Sequence, residues 1–155
     1  MKELRGQESI ILDMPQEGIC GFDYKFFQNI TEKTLALSRY TFPKNSTLSF
    51  SIEAVSKEEI ALLNERYIGK SNPTDILSFP AFPGEVLQNR CFSESIFFGE
   101  IIMCQDVIRE DSHKDGVSYA REMTFVFSHG ILHLLGYEHS EEMFALQDKV
   151  CDNEK

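Results

Sequence analysis

The sequence changes several times between a strand-like and a helix-like spacing of apolar residues, and this alternation limits the folds open to the chain. Residues 47–55 alternate between apolar and polar, with Leu48, Phe50 and Ile52 on one face, as in a half-buried strand. Residues 23–40 instead place apolar side chains near the helical spacing. Because strands and helices are interleaved, we expect an α/β fold in which helices cover a sheet. The order of the strands stays open at this point.

The remaining segments continue this pattern. Strands are expected at residues 9–14, 74–79 and 95–104, and helices at residues 56–67, from residue 106, at residues 117–135 and from residue 140. Ser56 and Ser140 precede two of these helices and are typical N-cap residues. Pro80 is expected to end the strand before it, and the largely polar residues 81–94 are expected to form an exposed loop.

The composition is that of a folded globular protein. Of the 155 residues, 42% are hydrophobic and 26% are charged, which argues against disorder throughout the chain. We find no apolar run of about 18 residues that could span a membrane and no apolar signal-peptide segment after the charged start, so we expect a cytoplasmic protein. The four cysteines form no CxxC pair and are expected to be reduced thiols in that compartment.

The chain is acidic, with 15 Lys and Arg against 25 Asp and Glu and a net charge of −10. Such a balance disfavours broad binding of nucleic acid, whose phosphates attract basic surfaces. The imbalance is uneven, because residues 1–50 carry six basic and six acidic side chains whereas residues 101–155 carry five and eleven. An anionic partner is therefore expected to meet the N-terminal two-thirds, unless a cation is bound near the C-terminus.

Three of the four histidines lie within eleven residues, in the pattern H-x3-H-x2-G-x2-H. His129 and His133 are four residues apart, so on a helix they project from one face and can share a cation. Gly136 can end that helix in a left-handed conformation and turn the chain back, which makes His139 a third ligand. We therefore predict a metal site formed by His129, His133 and His139.

Three imidazoles leave the ion its full charge and an open position, which is typical of a catalytic rather than a structural site. One zinc ion is expected, although nickel, copper and iron also bind imidazole. The same spacing occurs in the zinc peptidase signature H-E-x-x-H-x-x-G-x-x-H, but Gly130 replaces the glutamate that serves as general base. This disfavours a peptidase, and Gly130 is expected to provide room for close helix packing or for a substrate backbone.

The segment HGILHLLGYEH, from His129 to His139, resembles the signature H-G-x-L-H-L-x-G-Y-D-H of the YbeY family of metal-dependent endoribonucleases, the rRNA maturation factors. Glu138 stands in place of the usual aspartate. The similarity covers roughly residues 46–150. Further stretches that resemble family motifs are residues 63–67 (LNERY), 69–70 (GK), 73–80 (PTDILSFP), 99–102 (GEII), 121–122 (RE) and 142–146.

The resemblance implies one YbeY-like metalloprotein domain over residues 1–155, with a small mixed β-sheet of about four strands and about five helices. It implies that His129, His133 and His139 bind zinc. It also implies cleavage of single-stranded RNA in 3′-end maturation of small-subunit ribosomal RNA and in ribosome quality control. The implied partners are single-stranded or ribosomal RNA and small ribosomal subunit proteins, without a membrane or an organic cofactor.

One position departs from the family pattern. The family usually has an arginine directly after the tyrosine that matches Tyr67, where it is thought to face the metal and contact substrate phosphate. Here that residue is Ile68. We expect Arg66 or Lys70 to supply the charge from another angle; the alternative is a weakened activity.

Other candidates follow from their positions in the sequence. Glu138 precedes the third predicted ligand and is a candidate catalytic base or a partner for an imidazole N–H. Glu122 lies seven residues before His129, about two helical turns, and shares its face. Further candidates are Arg39 and Lys44 for phosphate contacts, and Phe82 and Phe92 for stacking on unpaired bases.

Two alternative functions remain open from the sequence. The histidine pattern alone also fits a metallohydrolase that acts on another phosphoester, an amide or an ester. The acidic composition and Ile68 also fit a ribosome-associated assembly factor in which the metal mainly holds the last two helices together. For a nuclease, the attacking group is either water or the RNA 2′-hydroxyl.

Overall fold

The computed structural model describes residues 9–40, 42, 46–82 and 95–152, and these contain four strands and five helices. The strands are β1 (Ser9–Asp13), β2 (Thr47–Ala54), β3 (Ile76–Pro80) and β4 (Ser95–Met103). The helices are α1 (Tyr24–Leu37), α2 (Lys57–Ile68), α3 (Gln105–Asp115), α4 (Tyr119–Leu134) and α5 (Glu141–Cys151). The expected α/β fold is confirmed.

The four strands form one mixed sheet in the order β1-β2-β4-β3. β1 is parallel to β2 and β2 is parallel to β4, whereas β3 is antiparallel to β4. The chain passes from β2 through α2 to β3 at the edge of the sheet, and β4 then returns between β2 and β3. This strand order is the part of the topology that the sequence left open.

Helices cover both faces of the sheet, and α4 lies at the centre of the larger layer. The larger core, formed by the sheet with α1, α3, α4 and α5, includes Phe50 of β2 and Phe127 of α4. The Phe27 ring of α1 meets that of Phe127 edge-on, with centroids 4.9 Å apart. On the opposite face, Ile60 of α2 packs in a smaller core with Leu77 of β3. On the face of the larger core, the C-terminal half of α4 lies against β3 at Gly130.

β4 shifts the phase of its side chains at Gly99. Phe98 faces the larger core before this point, and Ile101 and Met103 face it afterwards. The pairing of β4 with β2 is irregular here, as in a β-bulge. Gly99 has a φ of 138°, and a Cβ at this position would lie 2.1 Å from the carbonyl oxygen of Phe79. Glycine therefore allows the bulge, and the bulge keeps apolar residues of β4 in the core along its whole length.

Gly130 lies where α4 packs against β3 and β4. A Cβ on Gly130 would be 2.7 Å from Cδ1 of Ile76, 3.2 Å from Cδ1 of Ile101 and 3.3 Å from Oγ of Ser78. Of the two reasons expected for this glycine, close packing of the helix is the one that the structure contains. This contact joins the helix that carries two of the histidines to the edge strand of the sheet.

β3 differs from its prediction at both ends. The strand begins at Ile76 rather than at Thr74, and it includes Pro80, which is paired with Gly99 of β4. The prediction that the strand ends before Pro80 is therefore wrong. Proline is tolerated here because β3 is an edge strand, whose outer side needs no backbone N–H donor. Of the expected loop at residues 81–94, residues 83–94 lie outside the described part of the chain.

The predicted N-caps are confirmed. The Ser56 side chain accepts a hydrogen bond from the N–H of Glu59 at the start of α2, and Ser140 does the same for Met143 at the start of α5. Each bond satisfies one of the backbone donors that a helix leaves free at its first turn. Among the helices of the described residues, none has the length and apolar character needed to cross a bilayer.

Candidate metal centre

Three histidine rings meet where α4 ends. His129 and His133 lie on the last turns of α4, and His139 lies in the segment that leads to α5. Nε2 of His133 is 2.9 Å from Nε2 of His129 and 3.2 Å from Nε2 of His139, and the remaining pair is 3.3 Å apart. The structure therefore brings together the three residues that the sequence predicts as ligands, in a group that could hold a metal ion.

The turn after α4 carries the chain back toward the first two rings. Gly136 has a φ of 93°, which is the left-handed conformation expected from the sequence. Its N–H donates to the carbonyl of His133, and the N–H of Tyr137 donates to the carbonyl of Leu132, both at 3.0 Å. This pair of bonds is a Schellman motif, which ends the helix and reverses the chain within two residues.

The same turn fixes the tautomer of His133. Its Nδ1 lies 3.1 Å from the carbonyl oxygen of Tyr137. Because a carbonyl only accepts hydrogen bonds, Nδ1 carries the proton and donates it, and Nε2 presents a lone pair to the other two rings. A hydrogen bond to the outer ring nitrogen is the usual support of a histidine that binds metal.

The spacing of the three nitrogens fits a small divalent ion. Two nitrogens at 2.0–2.1 Å from a tetrahedral zinc ion are about 3.3 Å apart, and the observed separations are 2.9 to 3.3 Å. Three neutral imidazole nitrogens that face one another present lone pairs, and none of them supplies a positive charge to the others. A cation supplies that charge, so the donor set fits the metal that the sequence predicts.

The two histidines of α4 have lowered pKa values. Burial lowers the pKa of His133 to about 4, and the neighbouring His129 and His139 rings act in the same direction. Burial also lowers the pKa of His129. Metal ions bind the neutral imidazole, so near neutral pH both rings are already in the form that binding requires. His139 is exposed, and its ring lies nearly parallel to that of Phe144, with centroids 6.2 Å apart.

Tyr137 holds the returning chain in place. It is buried, and its hydroxyl accepts a hydrogen bond of 2.9 Å from the backbone N–H of Arg39. The Arg39 guanidinium lies 4.3 Å from the centroid of the Tyr137 ring and pairs with Glu142 at 2.7 Å. Arg39, a predicted phosphate contact, is therefore engaged with the turn and with α5.

Gln147 of α5 lies beside His129 and is not among the residues predicted from the sequence. Its side chain is completely buried, and its Nε2 donates to the carbonyl of Phe125 at 3.3 Å. Its amide raises the pKa of His129, against the larger effect of burial. One signal could have identified it: Met143 and Val150 flank it at helical spacing and are apolar, so a glutamine on that face is out of pattern.

The three imidazoles form one wall of an open cleft of about 590 Å³. The opposite wall is formed by the C-terminal end of α2, the segment after it and β3. The Tyr67 ring meets that of Phe79 edge-on, with centroids 5.2 Å apart, and remains 58% exposed. The residues of this wall include Tyr67, Ile68, Lys70, Ser78 and Phe79.

The segment between α2 and β3 is held by a buried side chain. Asn64 of α2 donates from Nδ2 to the carbonyl of Asn72 at 2.9 Å. Gly69 ends α2 in the left-handed conformation, with a φ of 88°. Lys70 lies between these two fixed points, and its backbone is therefore held at the rim of the cleft.

The other predicted residues fall in different places. Lys70 and Ile68 line the cleft, whereas Arg66 lines a separate groove with Leu62. Glu138 is exposed, and within the described residues no hydrogen bond joins it to the three rings. Phe82 is partly buried against the larger core, and Lys44 and Phe92 lie outside the described residues.

Glu122 belongs to an acidic group and not to the histidine group. It is buried near the N-terminal end of α4. Burial raises its pKa to about 7, together with a hydrogen bond to Asp115 and the charges of Asp115, Asp111 and Asp75. The predicted position on the face of His129 therefore does not bring the two side chains into one site.

The chain is similar to proteins of one family. A family model described as Endoribonuclease YbeY matches residues 16–154. A Leuconostoc citreum protein named Endoribonuclease YbeY is 31% identical over 155 residues, covering 92% of this chain and 94% of that protein. A Prochlorococcus marinus protein of the same name is 41% identical over 106 residues, covering 68% of this chain, which spans 57% of that protein's length. The solution structure of TM1509 from Thermotoga maritima has a TM-score of 0.52 at 28% identity, covering 94% of this chain and 87% of the other.

Proposed function

The chain belongs to the YbeY family, and from this premise we propose that it is a zinc-dependent endoribonuclease specific for single-stranded RNA. The observation that carries the proposal is the convergence of three Nε2 atoms within 3.3 Å of one another on the wall of an open cleft. His129, His133 and His139 would hold the ion. A bound divalent ion supplies a Lewis acid that attracts a phosphate oxygen and lowers the pKa of water to about 7.

We further propose that the physiological substrate is ribosomal RNA. The role is then maturation of the 3′ end of small-subunit ribosomal RNA and ribosome quality control in the cytoplasm, with residues 1–155 acting as one metalloprotein domain. Small ribosomal subunit proteins are the proposed protein partners. The support is family membership, together with relatives that are named as endoribonucleases.

Lys70 is the residue that we assign to the RNA phosphates. The protein has a net charge of −10, so an approaching RNA strand needs a local cation. Lys70 lines the same cleft as the three histidines, whereas Arg66 lies on a separate groove. The structure thus favours Lys70 over Arg66 as the substitute for the arginine that Ile68 replaces.

Tyr67 provides a physical reason for preferring single strands. Its ring is 58% exposed at the cleft and can stack on a base. A base in a duplex is already stacked on both faces, whereas an unpaired base has a face to offer. The apolar Ile68 next to it is 57% exposed and extends the same surface.

Glu138 is the residue that we propose for proton transfer. It is exposed and directly precedes His139, so its carboxylate is hydrated and close in sequence to a proposed ligand. It would take a proton from the attacking oxygen, which is either water or the RNA 2′-hydroxyl. These two nucleophiles leave different products, because attack by the 2′-hydroxyl gives a cyclic phosphate.

Two observations weigh against the alternatives. A glutamate at position 130, as in the zinc peptidases, would begin with a Cβ 2.7 Å from Cδ1 of Ile76, so the close packing of α4 on β3 disfavours that base. A mainly structural metal is disfavoured by the packing of α5, because Met143 and Val150 are buried in the larger core and attach α5 to the rest of the protein without an ion.

The test is to measure zinc by elemental analysis and cleavage of a labelled single-stranded RNA in the same preparations. Three proteins are compared: wild type, His133→Ala and His113→Ala. His113 is an exposed histidine of α3 and serves as the matched control. We expect about one zinc per chain in the wild type and the control, and loss of both zinc and cleavage in His133→Ala.

Two results would count against the proposal. Cleavage that persists in His133→Ala would place the chemistry elsewhere. Stoichiometric zinc without RNA cleavage by the wild type would favour a different substrate or a ribosome-associated factor. Circular dichroism after removal of zinc with a chelator separates a catalytic from a structural ion, because we expect the helical signal to persist.

A further inference from the structure

The Gln147 amide is buried and only half satisfied. Gln147 has no exposed surface, and its Nε2 donates to the carbonyl of Phe125. Its Oε1 is the one buried side-chain oxygen or nitrogen among the described residues that makes no hydrogen bond. A buried carbonyl oxygen that lacks a hydrogen bond is destabilising, so the position calls for a donor.

The His129 ring is a donor beside this amide. Phe125 precedes His129 by one helical turn, so the bond from Gln147 to the Phe125 carbonyl places the amide next to that ring. The unpaired amide oxygen of Gln147 is therefore an acceptor that an N–H of this ring can meet.

The geometry of the metal centre decides which ring nitrogen carries that N–H. Nε2 of His129 points at the other two Nε2 atoms, so in the metal-binding tautomer the proton is on Nδ1. His133 has the same requirement and meets it with the carbonyl of Tyr137. The two histidines of α4 then need two acceptors, and the backbone provides one of them.

We propose that Gln147 is a positioning residue of the metal centre: its Oε1 accepts the Nδ1–H of His129 and holds that imidazole in the tautomer that presents Nε2 to the ion. The amide bridges two groups, because Nε2 is bound to the carbonyl of Phe125 while Oε1 holds the ring. This inference rests on the metal site of the proposed function and is independent of whether the substrate is RNA.

The first experiment measures the affinity for Zn²⁺ by competition with a chromogenic chelator in wild type, Gln147→Met and Gln147→Glu. Methionine has a similar length and no strong acceptor, so we expect affinity to fall by roughly 10–100-fold. Glutamate keeps an acceptor oxygen but loses the donor to the Phe125 carbonyl, so we expect it to restore part of that loss. The Co²⁺ absorption spectrum is expected to change in Gln147→Met and to remain wild-type-like in Gln147→Glu.

A matched control separates positioning from packing. Val150→Ala removes buried volume from the same helix without touching the histidines, so it is expected to lower thermal stability and to leave the Zn²⁺ affinity unchanged. The proposal is overturned if Gln147→Met binds Zn²⁺ as tightly as wild type. It is equally overturned if Val150→Ala weakens binding as much as Gln147→Met does.

A second measurement needs no variant. Long-range ¹H–¹⁵N spectra of the metal-free wild-type protein report the tautomer of each histidine directly. We expect His129 and His133 to be protonated on Nδ1, and protonation of His129 on Nε2 would overturn the proposal. If Gln147 supports Zn²⁺ binding as expected but the protein cleaves no RNA, the proposed function is contradicted and the role of Gln147 stands.

Discussion

The two walls of the cleft are built in different ways. The histidine wall comes from one short segment, residues 129–139, and its chain reversal is closed by backbone hydrogen bonds. The opposite wall combines the end of α2, the segment after it and β3, which meet only in the folded protein. His129 and His133 are partly buried, whereas Tyr67 and Ile68 are more than half exposed.

This difference fits the role proposed for each wall. A metal ion requires ligand atoms fixed to a few tenths of an ångström, and buried, hydrogen-bonded rings provide that. A flexible polymer requires exposed faces and a cation, and Tyr67, Ile68 and Lys70 provide those. We therefore expect substitutions in the histidine wall to change metal content, and substitutions in the opposite wall to change RNA cleavage alone.

The largest effect is expected where the two walls touch. Gly130→Glu adds a charged side chain whose Cβ alone would lie 2.7 Å from Cδ1 of Ile76 and 3.2 Å from Cδ1 of Ile101. We expect a loss of more than about 4 kcal/mol in the free energy of unfolding, from combined overpacking and charge burial. Denaturation in urea measures this loss.

Gly130→Ala is the control for this prediction. Its Cβ meets only the ends of flexible side chains, and alanine favours the helix by about 1 kcal/mol, so we expect a net change of less than about 1 kcal/mol. A stable Gly130→Glu protein would show that the helix can move away from β3. Peptidase activity in that variant would show that glycine, and not the fold, is what excludes the base.

The histidine wall was predictable because its geometry is local. His129 and His133 share a face through helical spacing, and Gly136 marks the end of the helix by the conformation that glycine alone adopts easily. Both relations are set by backbone geometry over a few residues, so they survive without knowledge of the fold. The interleaved strand and helix patterns gave the fold class for the same reason.

The remaining features depend on contacts between distant segments. Strand order follows from packing of the whole sheet, and the position of Pro80 within β3 follows from β3 being an edge strand. Arg66 and Lys70 differ by four residues, yet only Lys70 lines the cleft, because Gly69 ends the helix between them. Gln147 is eighteen residues from His129, and only the packing of α5 on α4 brings the two together.

That separation of Arg66 from Lys70 gives a paired test of the opposite wall. We expect Lys70→Ala to lower kcat/KM for single-stranded RNA by roughly 10-fold, which is about 1.4 kcal/mol, because a phosphate contact is lost. A plot of the logarithm of the RNA-binding constant against the logarithm of the salt concentration should become less steep by about 0.7. Arg66→Ala removes the same charge on a different groove and is expected to change neither quantity. Equal effects of the two variants would mean that the cleft does not define the path of the RNA.

Ile68→Arg is the converse substitution, on the same wall. Ile68 is exposed at the cleft, so the larger side chain needs no repacking. A new charge-assisted contact with phosphate is expected to raise kcat/KM several-fold, with zinc content unchanged. An unchanged rate, with zinc retained, would indicate that Lys70 already supplies what the arginine would add.

The smallest expected effect comes from the other end of α4. There, burial raises the pKa of Glu122 to about 7. The folded state therefore binds this proton more strongly than the unfolded chain, whose pKa is 4.5. The stabilisation that comes from the protonated carboxyl is therefore fully present below the unfolded-state pKa of 4.5. It is lost as the pH rises through the folded-state pKa of about 7.

Glu122→Gln carries the neutral form at every pH, so it isolates this titration from that of the histidines, which both proteins share. We expect the two proteins to have similar free energies of unfolding near pH 4.5. Above about pH 7, the variant should be more stable by on the order of 1 kcal/mol, because the wild type then holds a charged carboxylate beside Asp115. Urea denaturation of both proteins across this range measures the difference. If the difference in free energy of unfolding between the two proteins stays constant with pH, Glu122 ionises in the folded protein as it does in water.

The zinc affinity of Glu122→Gln tests a second relation. A change in that affinity would mean that the acidic group and the histidine wall are coupled through α4.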